Sequence, residues 1–419
     1  MSMPPGVEPP PYVAFAIPVF LLMIATEVWL ARRRGVQVYR FDDALTDLAC
    51  GVGSQAVGAL WKTALLLGYV WLYEHRLATM AAWAQWLLAF VWVDFAYYWW
   101  HRWSHETNLL WAAHVVHHQS EDYNLAVALR QAWFTPLTAW PFYAPLALAG
   151  VTPIVIGSMV AFSTLYQFWI HTELIGRMPV FEWIFNAPMH HRVHHAINPR
   201  YLDKNYAAVL IVWDRLFGTY LAEEEPCVYG IVKPLHSYDT VWCNFHHWLE
   251  VIRHMRQTRS WVDKVRIWFR SPAWLPADLP QYPPPPQVTR ETRPKYSHPV
   301  PVAMQRYLGV QLLLCAATVG VLLVGLGPLW LQAGLIALTV VTLWTWSGLI
   351  EGKPWARKLE RARLLAGLGL AVAALWVAGV APGWLLVPGF AIAGLWLWLP
   401  RSVEAKGLVP AASWPADAA

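Results

Sequence analysis

The stretch AWAQWLLAFVWVDFAYYWWHRWSHETNLLWAAHVVHH, residues 82–118, decides the fold. Residues 82–100 are apolar apart from Gln85 and Asp94 and a pair of tyrosines, close to the ~20 residues an α-helix needs to cross a hydrocarbon core. The run passes without a break into HRWSH and then HVVHH, which carry His101, His105, His114, His117 and His118. An apolar helix ending in a row of imidazoles reads as a membrane span that delivers metal ligands to an interface.

Working outward, residues 12–31 form an apolar run closed by Arg32, Arg33 and Arg34. The positive-inside rule then places the amino terminus outside. Residues 48–73 return outward and 82–100 come back in, so the histidines face the cytoplasm. Residues 133–150 and 154–170, separated by Gly150 and Pro153, read as a hairpin that brings His171 to the same side. Runs at 304–327, 329–348, 364–381 and 384–400 give four more spans, nine in all, with Lys353, Arg357, Lys358, Arg361 and Arg363 in an inside loop. The long polar stretch is 171–300, within which Asp239 to Arg270 alternates aromatic and basic residues suited to a membrane surface. SPAWLPADLPQYPPPPQVTRETRPK, residues 271–295, cannot hold regular helix or sheet, because proline removes donors and fixes the backbone. The expected division is therefore a membrane-embedded catalytic domain over 1–270, a proline-rich linker over 271–300, a four-span helical region over 301–401 and a tail over 402–419.

Composition agrees. The chain is 57% hydrophobic and only 14% charged, and its 29 tryptophans and 17 tyrosines suit aromatic belts at two membrane interfaces. The net charge of +5 comes from basic residues beside apolar runs, which act as topology signals and not as a nucleic-acid surface. Cys50, Cys227, Cys243 and Cys315 are scattered and form no CxxC pair. MSMPPGVEPP lacks a basic n-region and a small-residue cleavage site, so the first apolar run is expected to be a retained anchor. The location that follows is an integral position in a membrane, assigned to the bacterial cytoplasmic membrane.

Ten of the sixteen histidines fall between positions 101 and 195. HRWSH sets His101 and His105 four residues apart, on one helical face. HVVHH and HRVHH repeat that spacing with an extra ring, adding His191, His194 and His195 to the set. A lone histidine is more often a packed, hydrogen-bonded aromatic. Eight such rings beside lipid without a metal would be a costly arrangement. Eight imidazoles also exceed the four to six ligands of one ion, so two ions are implied, with His171 in WIHTE as a ninth ligand. His75, His236, His246, His247, His254 and His298 lack the spacing. The pair His246 and His247 has a possible approach to the site, and His190 falls on the opposite helical side from its neighbours. Imidazole suits zinc, copper, iron and nickel, and a redox-active ion best explains open positions beside lipid, hence two irons with O2 as co-substrate. Carboxylates are expected to orient the rings. Asp94 lies on the His101 face with a local partnership to Tyr98 as its bland alternative, and Glu106, Glu121, Asp122, Glu173, Asp203 and Asp214 follow the boxes as further candidates or as helix caps. The candidate catalytic acids are Asp94, Glu121 and Asp122. The fold class is an all-α integral membrane protein, a multi-span helical bundle with a cytoplasmic histidine-rich di-iron cap.

At these boxes the sequence resembles the fatty acid hydroxylase and sterol desaturase superfamily, whose HxxxH, HxxHH and HxxHH pattern is matched at all eight positions. DFAYYWWHRWSHE, HHQSEDYNLAVALRQ, LYQFWIHTE, FNAPMHHRVHH and DKNYAAVLIVWDRLFGTY resemble its ether-lipid-cleaving branch over roughly residues 80 to 275. The resemblance implies a tetrahydropterin electron donor, an alkylglycerol lipid drawn from the bilayer, and hydroxylation of the carbon beside the ether oxygen. Arg130, Lys204, Asn205 and Tyr206, with Glu121, Asp122 and Asn124, are the polar groups suited to a pterin or a lipid head group, or to packing around the cap. Two other readings compete: hydroxylation or desaturation of a sterol, carotenoid or fatty acyl chain at the same centre, and a metal transporter. The transporter reading lacks ionisable residues at the midplane of several spans, since only Asp94 lies deep.

Overall fold

The computed structural model describes residue 10 and residues 12–323, 327–379 and 392–399. Among these the chain is helical, with two isolated β-bridges and no strand. Helices α1 (Tyr12–Arg34), α2 (Phe41–Glu74), α3 (Ala82–Glu106) and α4 (Asn108–Trp111) lead to the hairpin α5 (Thr135–Ala149) and α6 (Pro153–Phe168). The polar region holds α7 (Pro188–His195), α8 (Val212–Phe217), α9 (Thr240–Gln257) and α10 (Trp261–Phe269), and beyond it lie α11 (Val302–Leu323), α12 (Leu329–Ile350) and α13 (Ala356–Val377).

Among the described residues, four helices are long and apolar enough to cross a membrane: Phe15–Arg34, Phe41–Glu74, Val302–Leu323 and Leu329–Ile350. They coincide with four of the nine expected spans, and the chain is an integral membrane protein. Helices α5 and α6, at 15 and 16 residues, fall short of that length. Helix α13 starts eight residues before the expected run and draws Arg357, Lys358, Arg361 and Arg363 out of the expected loop into its own first turns. The reason is local: buried Arg363 Nε donates to Glu360 Oε2 at 2.7 Å, and the same carboxylate accepts the Tyr307 hydroxyl. The span expected over 384–400 lies mostly outside the described residues; 392–399 is helical.

The chain divides into two compact units. The first comprises the described residues up to Tyr39 with Leu60–Leu235 and Asn244–Pro294; the second comprises Arg40–Ala59, His236–Cys243 and the described residues from Lys295. This differs from a single cut at a proline-rich linker. The proline-rich stretch has neither helix nor strand, yet its end is tied to the first unit. Arg290 Nε donates to the Cys227 carbonyl at 3.2 Å and Arg293 to the Ile231 carbonyl at 2.7 Å. In the second unit, Asp42 at the start of α2 accepts the Tyr238 hydroxyl, the Ser297 hydroxyl and the His298 amide, each at 2.8 Å.

What positions the site is the packing of α3. Ala89, Val93, Ala96 and Trp100 recur at helical spacing and face Tyr143, Leu146 and Ala147 of α5 and Val155 and Ile156 of α6. Burial of each large apolar side chain contributes about 1.5–3 kcal/mol, which fixes the helix that ends in His101 and His105. The α5–α6 turn closes at Gly150, with φ +105, where an added Cβ would lie 2.2 Å from the Ala78 carbonyl oxygen. A smaller core of Tyr123, Val193, Tyr201, Cys227 and Tyr229 holds the histidine cap together.

Candidate metal centre

All nine expected ligands come together, in two groups. His101, His105, His114, His118 and His194 form the first, and His117, His171, His191 and His195 the second, with the ligand atoms of each group within 4.8 Å of one another. Every box is thereby split or paired in a definite way. Helix α3 gives both its rings to the first group, whereas α7 sends His191 and His195 to the second and His194 to the first. HVVHH is not the helical turn that its spacing predicts: Val115–His118 is a single 3₁₀ turn and His114 precedes it at φ −127. That backbone lets His114 and His118 serve one group while His117 serves the other.

The ring orientations identify the ligand atoms. Nδ1 of His101, His117, His171 and His194 faces a backbone carbonyl, from Tyr206 (2.7 Å), Arg130 (3.0 Å), Gln167 (2.7 Å) and Lys204 (3.0 Å) respectively. A carbonyl only accepts, so Nδ1 carries the proton and Nε2 presents a lone pair. Yet His171 Nε2 lies 3.2 Å from His117 Nε2, and two lone pairs at that distance repel. A second proton on either ring is disfavoured, because burial pushes His117 down to about 4. Burial also lowers His114, His118, His191 and His195 and takes His194 to about 3. His105 and His194 each have a buried Nε2 with no protein partner. Neutral imidazoles that converge lone pair to lone pair suit a cation between them, and the donor set suits two such ions.

Neither group contains an acid among the described residues, and four rings are oriented by carbonyls. A carbonyl does this without burying a further charge beside lipid. The acids act one layer out. Asp94 accepts from the Val209 amide (2.8 Å), the Leu210 amide (3.1 Å) and Trp213 Nε1 (2.9 Å). Tyr98 pairs instead with Thr219 Oγ1 at 2.9 Å. Asp214 accepts from the amides of Tyr206 and Ala207, both at 2.8 Å. Together they hold the 206–211 segment that supports His101. Glu106 pairs with Arg102 at 2.9 Å, and Glu173 accepts the Tyr229 hydroxyl at 2.8 Å. Asp203 sits at φ +59 on the turn bearing Lys204. Glu121 is half-buried and Asp122 buried, both outside the ligand groups.

The four residues expected to bind a cofactor lie beside the ligand histidines. Arg130, Lys204 and Tyr206 each contribute a backbone carbonyl to a ligand histidine. The Arg130 side chain donates to the Val116 carbonyl at 2.7 Å, and Asn205 Nδ2 donates to the carbonyls of His190 (3.0 Å) and Leu221 (2.7 Å). His190, His246 and His247 stand outside both groups; His247 Nε2 meets Asn108 Oδ1 at 2.9 Å. Sequence reasoning missed Glu27, which is buried in α1 and accepts from the Leu125 amide at 2.8 Å, the Tyr39 hydroxyl and the hydroxyl of Thr172, next to His171. An acid inside an apolar run was the signal available.

The family model for fatty acid hydroxylase matches residues 86–219. The chain is 41% identical to the alkylglycerol monooxygenase of Homo sapiens over 275 residues, 64% of this chain and 61% of that protein, so the alignment spans less than two thirds of the human relative. It is 36% identical to the Xenopus tropicalis alkylglycerol monooxygenase over 377 residues, 86% of this chain and 82% of the relative. The Danio rerio protein of that name is 37% identical over 322 residues, 73% and 70% of the two chains. No solved structure matches. These relatives are animal proteins and lend no support to the expected bacterial membrane.

Proposed function

The chain belongs to the alkylglycerol monooxygenase family, and on that premise we propose that it is a membrane monooxygenase that hydroxylates the carbon beside the ether oxygen of alkylglycerol lipids. One oxygen atom of O2 enters that C–H bond and the other leaves as water, with two electrons from a tetrahydropterin. The hemiacetal so formed splits into an aldehyde and a glycerol lipid. Two irons, when bound by the nine imidazoles, supply the oxygen activation. The observation that carries the reading is the sorting of those imidazoles into groups of five and four around two points.

The protein's own residues set the conditions. Eight of the nine histidines are buried, which keeps their rings neutral and limits water at the reacting carbon. Carbonyls of Tyr206, Arg130, Gln167 and Lys204 fix the tautomers of His101, His117, His171 and His194. Arg32, Arg33 and Arg34 at the end of α1 favour a cytoplasmic orientation for the site, where a soluble reductant arrives. Lys204, whose carbonyl meets His194, and Glu121, which closely follows His118 in sequence, are the side chains offered to a pterin or head group.

The test is purified protein analysed for iron, reduced without oxygen, and supplied with a labelled alkylglycerol and O2 with and without tetrahydropterin. Aldehyde release that depends on the pterin, with two irons per chain, is expected. Labelled substrate recovered intact from iron-loaded protein would overturn the ether-lipid reading.

A further inference from the structure

Tyr206 is fully buried, and its hydroxyl has no protein partner. A buried hydroxyl without an acceptor costs about 1–3 kcal/mol, so native proteins seldom keep one without a use. Its ring packs on the first ligand group. The Tyr206 ring lies 5.4 Å from His105, 5.8 Å from His194 and 5.9 Å from His101, centroid to centroid, all three in the first ligand group. Two of those rings, His105 and His194, are the ones whose Nε2 is also buried and unpartnered. Three orphaned polar atoms therefore belong to three rings packed against one another: Nε2 of His105, Nε2 of His194, which presents a lone pair, and a phenol with a proton to donate.

The residue is fixed independently of its hydroxyl. Its amide is held by Asp214 and its carbonyl holds His101. Nothing in that backbone anchorage needs an aromatic alcohol, since phenylalanine would present the same amide and carbonyl.

We propose that the Tyr206 hydroxyl is the hydrogen-bond donor for the exogenous ligand taken up at the first histidine group, a small molecule or anion that presents an oxygen or nitrogen acceptor. A phenol is the right donor for this place. It stays neutral when buried, it carries one proton to give, and its rigid ring sets the donor direction with two torsions. The inference rests on the two-iron reading.

The experiment uses the full-length iron-loaded protein, wild type and Tyr206→Phe, with azide as the probe. Iron content and thermal midpoint are measured first. Removal of an unpartnered hydroxyl leaves the midpoint unchanged or raises it, whereas removal of a hydroxyl with a structural role lowers it. Azide is expected to bind the variant about tenfold more weakly, the loss of roughly one hydrogen bond. The azide stretching band of the wild type should shift in D2O, and that of the variant should not. Equal azide affinity and equal isotope response in the two proteins overturn the proposal while the metal reading stands. Wild type that takes up no iron overturns the two-iron reading itself.

Discussion

Asp214 and Tyr206 are joined by a 2.8 Å hydrogen bond from the Tyr206 amide to the Asp214 carboxylate, and the carbonyl of that same tyrosine holds Nδ1 of His101. The carboxylate also accepts from the Ala207 amide at 2.8 Å and the Thr219 hydroxyl at 2.7 Å. Three donors meet one acid that has no proton to offer. Asp214→Asn replaces one acceptor oxygen with an amide group that itself donates, so at least one buried N–H loses its partner. The expected cost is about 2–4 kcal/mol. Because the segment it frees supports His101, iron bound per chain should fall toward one. Metal analysis beside thermal unfolding checks this, and full iron occupancy in the variant would separate Asp214 from the metal centre.

Lys204 offers the converse case. Its carbonyl, not its ammonium, holds His194. Lys204→Ala keeps that carbonyl, so iron content and thermal midpoint should match the wild type, while a weaker apparent affinity for the pterin or the lipid appears in the turnover kinetics. A variant that loses iron would show that the side chain, and not the backbone, supports the ring.

The histidine spacing made the ligand set readable because imidazoles at i, i+3 and i+4 have few other reasons to recur beside lipid. It did not reveal how the rings are shared. Neighbours in one box, such as His117 and His118, fall in different groups, and that depends on the φ of His114, which no residue type dictates. The supporting carbonyls of Tyr206, Arg130 and Lys204 were equally hidden, since every residue has one. Their side chains drew notice and their backbones do the holding. Helix starts were misjudged where acids sit inside apolar helices: Asp42 begins α2 and Glu360 lies within α13, each made tolerable by tyrosine hydroxyls far away in sequence.

Acid sensitivity follows from the buried rings. The unfolded chain takes up protons at histidine near the ordinary value of 6.5, whereas folded metal-free protein resists until about 4 at His117 and about 3 at His194. Between those limits the unfolded state binds more protons, so stability rises with pH. It is complete above about 6.5 and lost as pH falls through 4 toward 3, by several kcal/mol in total. Protein stripped of metal should therefore unfold at markedly lower temperature at pH 5 than at pH 7.5. Bound metal adds stability by mass action and requires the same neutral rings. Iron-loaded protein should thus melt higher at both values, and a chelator should return it to the stripped curve. Identical midpoints before and after chelation would mean that the site contributes nothing to the fold.

Glu27 gives the sharpest test of how a membrane helix is coupled to the site. It sits in α1, only 4% exposed, among apolar neighbours where an unpaired carboxylate would be expelled. What retains it is the set of donors it meets: the Leu125 amide at 2.8 Å and the hydroxyls of Tyr39 and Thr172. Thr172 follows His171 directly, and Arg192 on α7 donates to the Thr172 carbonyl at 3.1 Å, so one acid ties α1 to the turn that carries a ligand of the second group. Glu27→Gln keeps the volume but turns one oxygen into a donor facing donors, which should destabilise by about 1–3 kcal/mol. Glu27→Leu removes the acceptor altogether, leaves the Leu125 amide unpaired and should be worse, despite its better fit to lipid. If the link to His171 matters, both variants lose iron from the second group before the first, so that iron content falls toward one per chain while azide affinity at the remaining ion is kept. Equal loss from both groups would reduce Glu27 to a general prop of the fold.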